Sequence, residues 1–374
     1  MRRIEKYIYQ KPDWPNFFWK TEKLLTLLTE VRNLQGRIVG QMSVLGFALK
    51  NQANLEILTQ DVLNSTEIEG EILDKNQVRS SIARRLGLEV SGLVSSDRNV
   101  DAVVEVMIDA TKKFDQPLTR ERIFGWHNTL FPTGYSGMFK VQVGKFRDDL
   151  SGPMQVVSGS IGKEKVHYQA PAAEALESEM AAFLDWFNNE QNIDLVIKSA
   201  LAHLWFVTLH PFDDGNGRIA RALADMILAQ SDGQSYRFYS MSSQIRSERK
   251  QYYEILEKTQ KSSLDVTCWL EWFLHCLLNA IKASEKMLEK VIFKHNFWLI
   301  NAPKLENERQ QKMLNKLLDG FEGKLTSSKW AKICKCSQDT ALRDIKDLLE
   351  KQILKKLLGG SRSTAYAIKT GVKA

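Results

Sequence analysis

Cysteine is scarce: four occur in 374 residues, at Cys268, Cys276, Cys334 and Cys336. Their spacing fits neither a disulfide framework nor a zinc site, because C-x-C is too tight and no histidine pair completes a ligand set. Stapled secreted scaffolds and zinc modules are thereby excluded, and a reducing cytoplasm is the expected location. Long apolar runs are also missing. None approaches the roughly 18–20 residues of a membrane span, so no membrane partner is expected. The opening Met1-Arg2-Arg3 leads into Glu5 and Lys6 without an apolar core, which predicts no secretory leader. No internal repeat or low-complexity tract stands out. An apolar fraction of 43% is ordinary for a globular chain, and the length predicts two to three domains at roughly 150 residues each.

The most informative stretch is His210-Pro211-Phe212-Asp213-Asp214-Gly215-Asn216-Gly217-Arg218-Ile219-Ala220-Arg221. Asp194 to Leu209 reads as a buried helix before it, and Arg218 to Gln230 as a second helix after it. The loop between them opens on a helix N-terminus, where unpaired N–H groups and the dipole favour a phosphate. Gly215 and Gly217 let backbone approach phosphate oxygens and permit positive φ. Asn216 tolerates left-handed geometry and can offer an amide to an oxyanion. Asp214 is a hard oxygen donor suited to Mg²⁺. Arg218 and Arg221, three apart, share a helix face and can fork onto phosphate. His210 has an ordinary pKa near neutrality, as a general base requires. Taken singly, these residues describe a helix end, a turn and a solvated face; together they outline a nucleotide site.

This segment resembles the Fic signature HPFx(D/E)GNGRxxR, with every specified position filled. The resemblance implies a mainly α fold with a Fic helical core and a β-hairpin flap, and transfer of AMP from ATP to a hydroxyl of a target protein. It implies that His210 deprotonates that hydroxyl and Asp214 holds Mg²⁺. Gly215, Asn216 and Gly217 would cradle the α- and β-phosphates, Arg218 would help bind them, and Arg221 would grip the γ-phosphate. Gly144-Lys145-Phe146-Arg147 with Met154-Gln155-Val156-Val157-Ser158-Gly159 resembles the flap, whose edge pairs with an extended target segment. Tyr253 and Gln260 stand where the family meets adenine, although relatives more usually carry asparagine at the latter position. The same cradle serves removal of AMP or transfer of another phosphate-linked group. A homodimer and modification of the chain itself are further implications.

Ser65-Thr66-Glu67-Ile68-Glu69-Gly70 fits the (S/T)xxxE(G/N) pattern of Fic inhibitory helices. The expectation is that Glu69, with Ser65 on the same helix, pairs with Arg221 and withholds it from the γ-phosphate. Three regions follow: residues 1–100 as a helical module containing the inhibitory helix at about 54–70, residues 101–290 as the catalytic core, and residues 301–374 as a tail. Trp14, Phe17, Phe18 and Trp19 are expected to dock the first onto the second.

Charge separates the tail from the rest. Residues 301–374 carry net +8, whereas residues 1–300 carry net −1. Helices are expected over Asn307 to Leu318, Thr326 to Ile333 and Gln338 to Glu350, the last capped by Ser337. Ile353 to Leu358, a Gly359-Gly360 turn and Thr364 to Ile368 would complete a winged helix-turn-helix. DNA is the obvious partner for such a module, through Gln338, Thr340, Arg343, Lys355, Lys356 and Arg362. Yet Ser337 to Glu350 has net charge −2, poorly matched to a phosphate-lined groove. The alternative function is therefore a DNA-binding regulator whose core senses nucleotide. An intact His210 favours the enzyme, since a sensor needs no base beside the phosphates.

Overall fold

The computed structural model describes residues 7–369 except 44, 90–91, 160–162, 319, 322 and 358–363. Two compact units emerge, residues 1–287 and residues 288–374.

In the first unit the helices are α1 (Thr21–Ser43), α2 (Phe47–Ile68), α3 (Lys75–Arg85), α4 (Arg98–Lys112), α5 (Arg120–Leu130), α6 (Leu176–Asn189), α7 (Leu195–Leu209), α8 (Asn216–Asp232), α9 (Met241–Ser247) and α10 (Arg249–Gln260). A further helix, α11 (Thr267–Asn301), begins in this unit and supplies the residues from 288 onward to the second. The central pair is α7 against α8. From Val196 to Leu209 every residue of α7 is buried, which explains its near-continuous apolar sequence. Asp194 caps it, accepting from Val196 N–H at 2.8 Å and Ile197 N–H at 3.4 Å. Proline at 211 cannot continue the helix, and His210 turns the chain with φ 48° and ψ 58°. Helix α2 packs on α9, α3, α4 and α8, placing its C-terminal end over the start of α8.

The expected docking of the N-terminal aromatics is visible at Trp14 and Phe17. Both meet Trp205 of α7 edge to face, at centroid distances of 6.0 and 5.8 Å, while Trp14 Nε1 donates to Glu179 at 2.9 Å.

Two small antiparallel hairpins flank the α7–α8 loop. One pairs β1 (Tyr135–Ser136) with β2 (Phe139–Lys140); the other pairs β3 (Gln155–Ser158) with β4 (Lys165–Gln169). The second corrects the sequence reading. Residues 144–147 are a turn and irregular chain, not a strand, and the partner of β3 lies downstream. Gly144 adopts φ 68° and donates its N–H to the His127 ring, while Arg147 is turned inward, so no ladder can form there.

The second unit contains α12 (Glu308–Leu318), α13 (Ser327–Cys334), α14 (Gln338–Glu350) and a hairpin of β5 (Leu354–Lys356) with β6 (Tyr366–Ile368). Its core gathers Met313, Leu314, Trp330, Ile345, Leu348 and Leu354. Ser337 caps α14, accepting from Thr340 N–H at 3.2 Å. The expected Gly359-Gly360 turn and Arg362 lie outside the described residues. Among the described residues, no helix is long and apolar enough to cross a membrane.

Candidate active site

The loop from His210 to Gly215 is fixed from several sides before any ligand arrives. Asn216 holds it closed: its Oδ1 accepts from Phe212 N–H at 3.0 Å and its Nδ2 donates to Phe212 O at 2.7 Å. The Asn216 side chain is thus a loop tie, and the left-handed conformations fall to Gly215 (φ 83°) and His210. A Cβ on Gly215 would lie 2.9 Å from Phe131 Cε2, so glycine is required there by space as well as by φ. His127 stacks on Phe212 at 4.0 Å; its Nδ1 accepts from Gly144 N–H at 3.3 Å, and its Nε2 lies 3.2 Å from Asp214 O. That pattern needs the proton on Nε2. Burial pushes the ring's pKa down to about 4, keeping it neutral in this role.

Arg147 is the main buttress. This buried guanidinium donates from Nε to His210 O at 2.8 Å and from Nη2 to Pro171 O at 2.6 Å, and Nη1 pairs with Asp149 at 2.7 Å. Its own N–H bonds Pro211 O at 2.9 Å. A histidine at positive φ costs of order 1–3 kcal/mol, and these bonds overdetermine the turn.

His210 Nδ1 sits 3.4 Å from Val207 O, which assigns the ring proton to Nδ1 and leaves the Nε2 lone pair free to accept. Burial first, partly offset by the Val207 carbonyl, pushes its pKa down to about 4. The imidazole is therefore neutral at pH 7.

The start of α8 presents the two arginines. Arg221, buried, donates from Nε to Ser65 Oγ at 2.9 Å, and from Nη2 to Ser65 O at 2.8 Å and Glu69 Oε1 at 2.7 Å. Burial acts to lower its pKa, but the Glu69 carboxylate outweighs that and holds the guanidinium above its ordinary value. A Cβ built on Gly217 would collide with Glu69 Oε1 and lie 3.1 Å from Arg221 Nη1. Glu69 therefore rests in the concavity that Gly217 leaves open. Arg221 Nη1 and Arg218 Nε are buried without a hydrogen-bond partner among the described residues. Arg218 lies 5.0 Å over the Phe131 ring, with distant carboxylates at Glu71 (3.6 Å) and Asp214 (3.8 Å). Asp214, part exposed, accepts at 2.5 Å from both Ser136 Oγ and Gly215 N–H.

A cavity of about 410 Å³ brings together His210, Gly217, Glu69, Val156, Val157, Tyr253 and Gln260. Met154 and Gln155 do not line it: Met154 O accepts from Ala170 N–H, and Gln155 bonds the Gln169 side chain at 3.1 Å. Tyr253 donates to Ile68 O at 3.3 Å, and Gln260 reaches Val207 O and Thr208 Oγ1 at 3.4 Å each. Behind Arg221, Tyr252 and His203 share a buried hydrogen bond of 2.9 Å.

Several participants escape sequence reasoning. Glu71 had a signal, being a third acid at alternate positions after Glu67 and Glu69. Arg147 falls within the segment read as flap, where its inward turn had no local cue. Ser136 and His127 carried none.

Two segments of the chain match known family models. Residues 117–228 match the Fic/DOC family model, and residues 7–88 match a domain of unknown function, DUF4172. Protein adenylyltransferase fic-1 of Caenorhabditis briggsae is 27% identical over 173 residues, covering 46% of this chain and 31% of that protein. Protein adenylyltransferase Fic of Nematostella vectensis is 32% identical over 115 residues, 30% of this chain and 25% of that protein. The chain spans less than half the length of the curated relatives it matches. In fold it is similar to a Fic family protein from Desulfovibrio desulfuricans, with TM-score 0.53 and 19% identity over 96% of this chain and 99% of that one. Through residues 117–228, then, this chain is similar to the Fic/DOC family.

Proposed function

We propose that the chain is a protein adenylyltransferase that transfers AMP from ATP to a hydroxyl side chain of a target protein, and that Glu69 holds it inactive. The observation that carries this reading is the Glu69 carboxylate over Gly217, clamped by Arg221 in the cavity that also holds His210. A carboxylate at a helix N-terminus, gripped by a guanidinium, occupies the place of a phosphate.

With Glu69 withdrawn, the unpartnered N–H groups of Arg221 and Arg218 take triphosphate oxygens instead, together with backbone N–H groups at Gly217. His210 Nε2 accepts the proton of the incoming hydroxyl. The hydroxyl oxygen bonds Pα, the bond from Pα to the bridging oxygen breaks, and pyrophosphate leaves. Tyr253 and Gln260 border the base, and Val156 and Val157 of β3 offer an edge for an extended target segment. Asp214 suits Mg²⁺ as a single carboxylate ligand, an ion that keeps waters and phosphates for its remaining positions and would neutralise triphosphate charge.

The test is incubation with α-labelled ATP and Mg²⁺. Transfer by Glu69→Gly should exceed the parent about a hundredfold, the scale of a shift of roughly 3 kcal/mol between blocked and open states. Adding His210→Ala should abolish transfer to other proteins. Label reaching other proteins without His210 contradicts the mechanism.

DNA contact by the second unit is a further reading, supported by how α14 packs. Asp344 is buried against Arg309 at 2.9 Å, and Asp347 pairs with Gln310 and Lys351. Two of the four acids that made the helix look acidic are thus turned inward and neutralised. Arg343 and Lys346 remain exposed beside Gln338. Such a surface would locate the enzyme on a duplex without replacing its chemistry.

A further inference from the structure

Three side chains from three elements line up beside the nucleotide cavity. Ser158 ends β3, His167 belongs to β4 and Glu257 to α10. Ser158 Oγ and His167 Nε2 are 2.5 Å apart, and His167 Nδ1 and Glu257 Oε2 are 2.7 Å apart. The hairpin register pairs Val156 with Tyr168 and Val157 with Val166, so His167 is the extra residue of a β-bulge. A bulge re-aims a side chain, here towards both partners at once.

The proton assignments follow from the acceptor. Burial acts to raise the Glu257 pKa, but hydrogen bonds from Lys261 and His167 outweigh it, so the carboxyl stays ionised. A carboxylate only accepts; Nδ1 therefore carries the ring proton, and Nε2 presents its lone pair to the Ser158 hydroxyl. Hydroxyl, imidazole and carboxylate in this order make an alcohol nucleophilic. Ser158 is exposed, and all three residues line the cavity that holds His210 and Gly217.

We propose that Ser158 is an acceptor for the chain's own nucleotidyl transfer, with His167 as its base. The inference rests on the transferase reading above. In the step, Ser158 Oγ bonds Pα of a nucleoside triphosphate, and its proton passes to His167 Nε2. The bond from Pα to the bridging oxygen breaks, and pyrophosphate leaves with the electron pair. The product is a phosphodiester on the flap, beside the edge that a target segment would pair with, so the modification limits further transfer.

The experiment uses the full chain carrying Glu69→Gly, incubated with ATP and Mg²⁺, with pyrophosphate release followed in the same samples. The tryptic peptide 148–163 also holds Ser151 and Ser160, so the adduct is localised by fragmentation. The expected result is an adduct on Ser158 that Ser158→Ala removes and Ser158→Thr partly restores. His167→Gln should slow it about a hundredfold, the range of a general base. Glu257→Gln, which keeps the side chain's volume, should slow it less. Pyrophosphate release with Ser158 unmodified, or labelling of His167→Gln at the undiminished rate, overturns the assignment and leaves the transferase reading standing. Absence of both label and pyrophosphate overturns the two together.

Discussion

At the level of single residues, the site depends on where protons and charges are held. His210 has its pKa pushed down to about 4 by burial, so its base form persists well into acid. A base works when deprotonated, so activity falls only as pH drops through its free-enzyme pKa. In the Glu69→Gly background, kcat/KM for transfer should stay flat from pH 7 to about 5 and decline below that. A decline centred near the ordinary histidine value of about 6.5 contradicts the assigned environment. Arg147 makes a second prediction. Arg147→Met removes the bonds to His210 O and Pro171 O and leaves Asp149 without its cation. Loss of a buried, hydrogen-bonded charge costs about 3–5 kcal/mol, read as a lower unfolding midpoint in urea. Transfer should fall further than stability alone explains, because the turn that presents the imidazole relaxes. Of this scale, the sequence carried much. His210, Gly217, Arg221, Ser65 and Glu69 are local signals, written in one short segment and one five-residue spacing. Arg147, His127 and Ser136 were not legible, because their roles arise from contacts between distant segments that no local pattern encodes.

Between elements, the contact that matters is α2 against α8. It has two layers, one helical turn apart. In the first, Ser65 and Glu69 hold Arg221. In the second, the buried Asp61 and Asp225 carboxyls interact, while Arg237 pairs with Asp225 at 2.6 Å and Ser240 donates to Asp61 at 2.6 Å. Burial together with the Asp61 carboxyl holds the Asp225 pKa well above the usual range, so the pair keeps a proton to higher pH. A carboxyl whose folded pKa is raised adds stability below its unfolded value near 3.8 and loses it as pH rises through the folded value. Asp61→Asn keeps the acceptor for Ser240 and supplies an N–H to Asp225. It should therefore raise stability at pH 8 by about 1–2 kcal/mol, with the advantage shrinking towards pH 5, as calorimetry at the two pH values would record. An unfolding midpoint at pH 8 equal to or below the parent's argues against the shared proton. Helices α7 and α8 were legible in the sequence from apolar periodicity and the Asp194 cap. The flap was legible only in part: β3 falls within the stretch read as a strand, but its partner is Lys165–Gln169, reached through a β-bulge, and not residues 144–147.

Across the whole molecule, charge and packing divide the labour. The net +8 of residues 301–374 was visible in composition, but its distribution was not. Counting acids along α14 suggested repulsion from DNA, whereas Asp344 and Asp347 are paired inward. Fluorescence anisotropy with a random duplex should detect binding that weakens steeply between about 50 and 200 mM salt. The pair Arg343→Glu and Lys346→Glu should reduce it at least tenfold. Binding unchanged by that pair would place any contact elsewhere on the unit.

The central claim is that Glu69 stands where a triphosphate oxygen belongs. A crystal structure of the Glu69→Gly chain with a non-hydrolysable ATP analogue and Mg²⁺ addresses it most directly. The account expects the γ-phosphate within hydrogen-bond distance of Arg221 and the α-phosphate over Gly217, facing His210 Nε2. A triphosphate bound away from Arg221, or a cavity that excludes the analogue once Glu69 is gone, would contradict it.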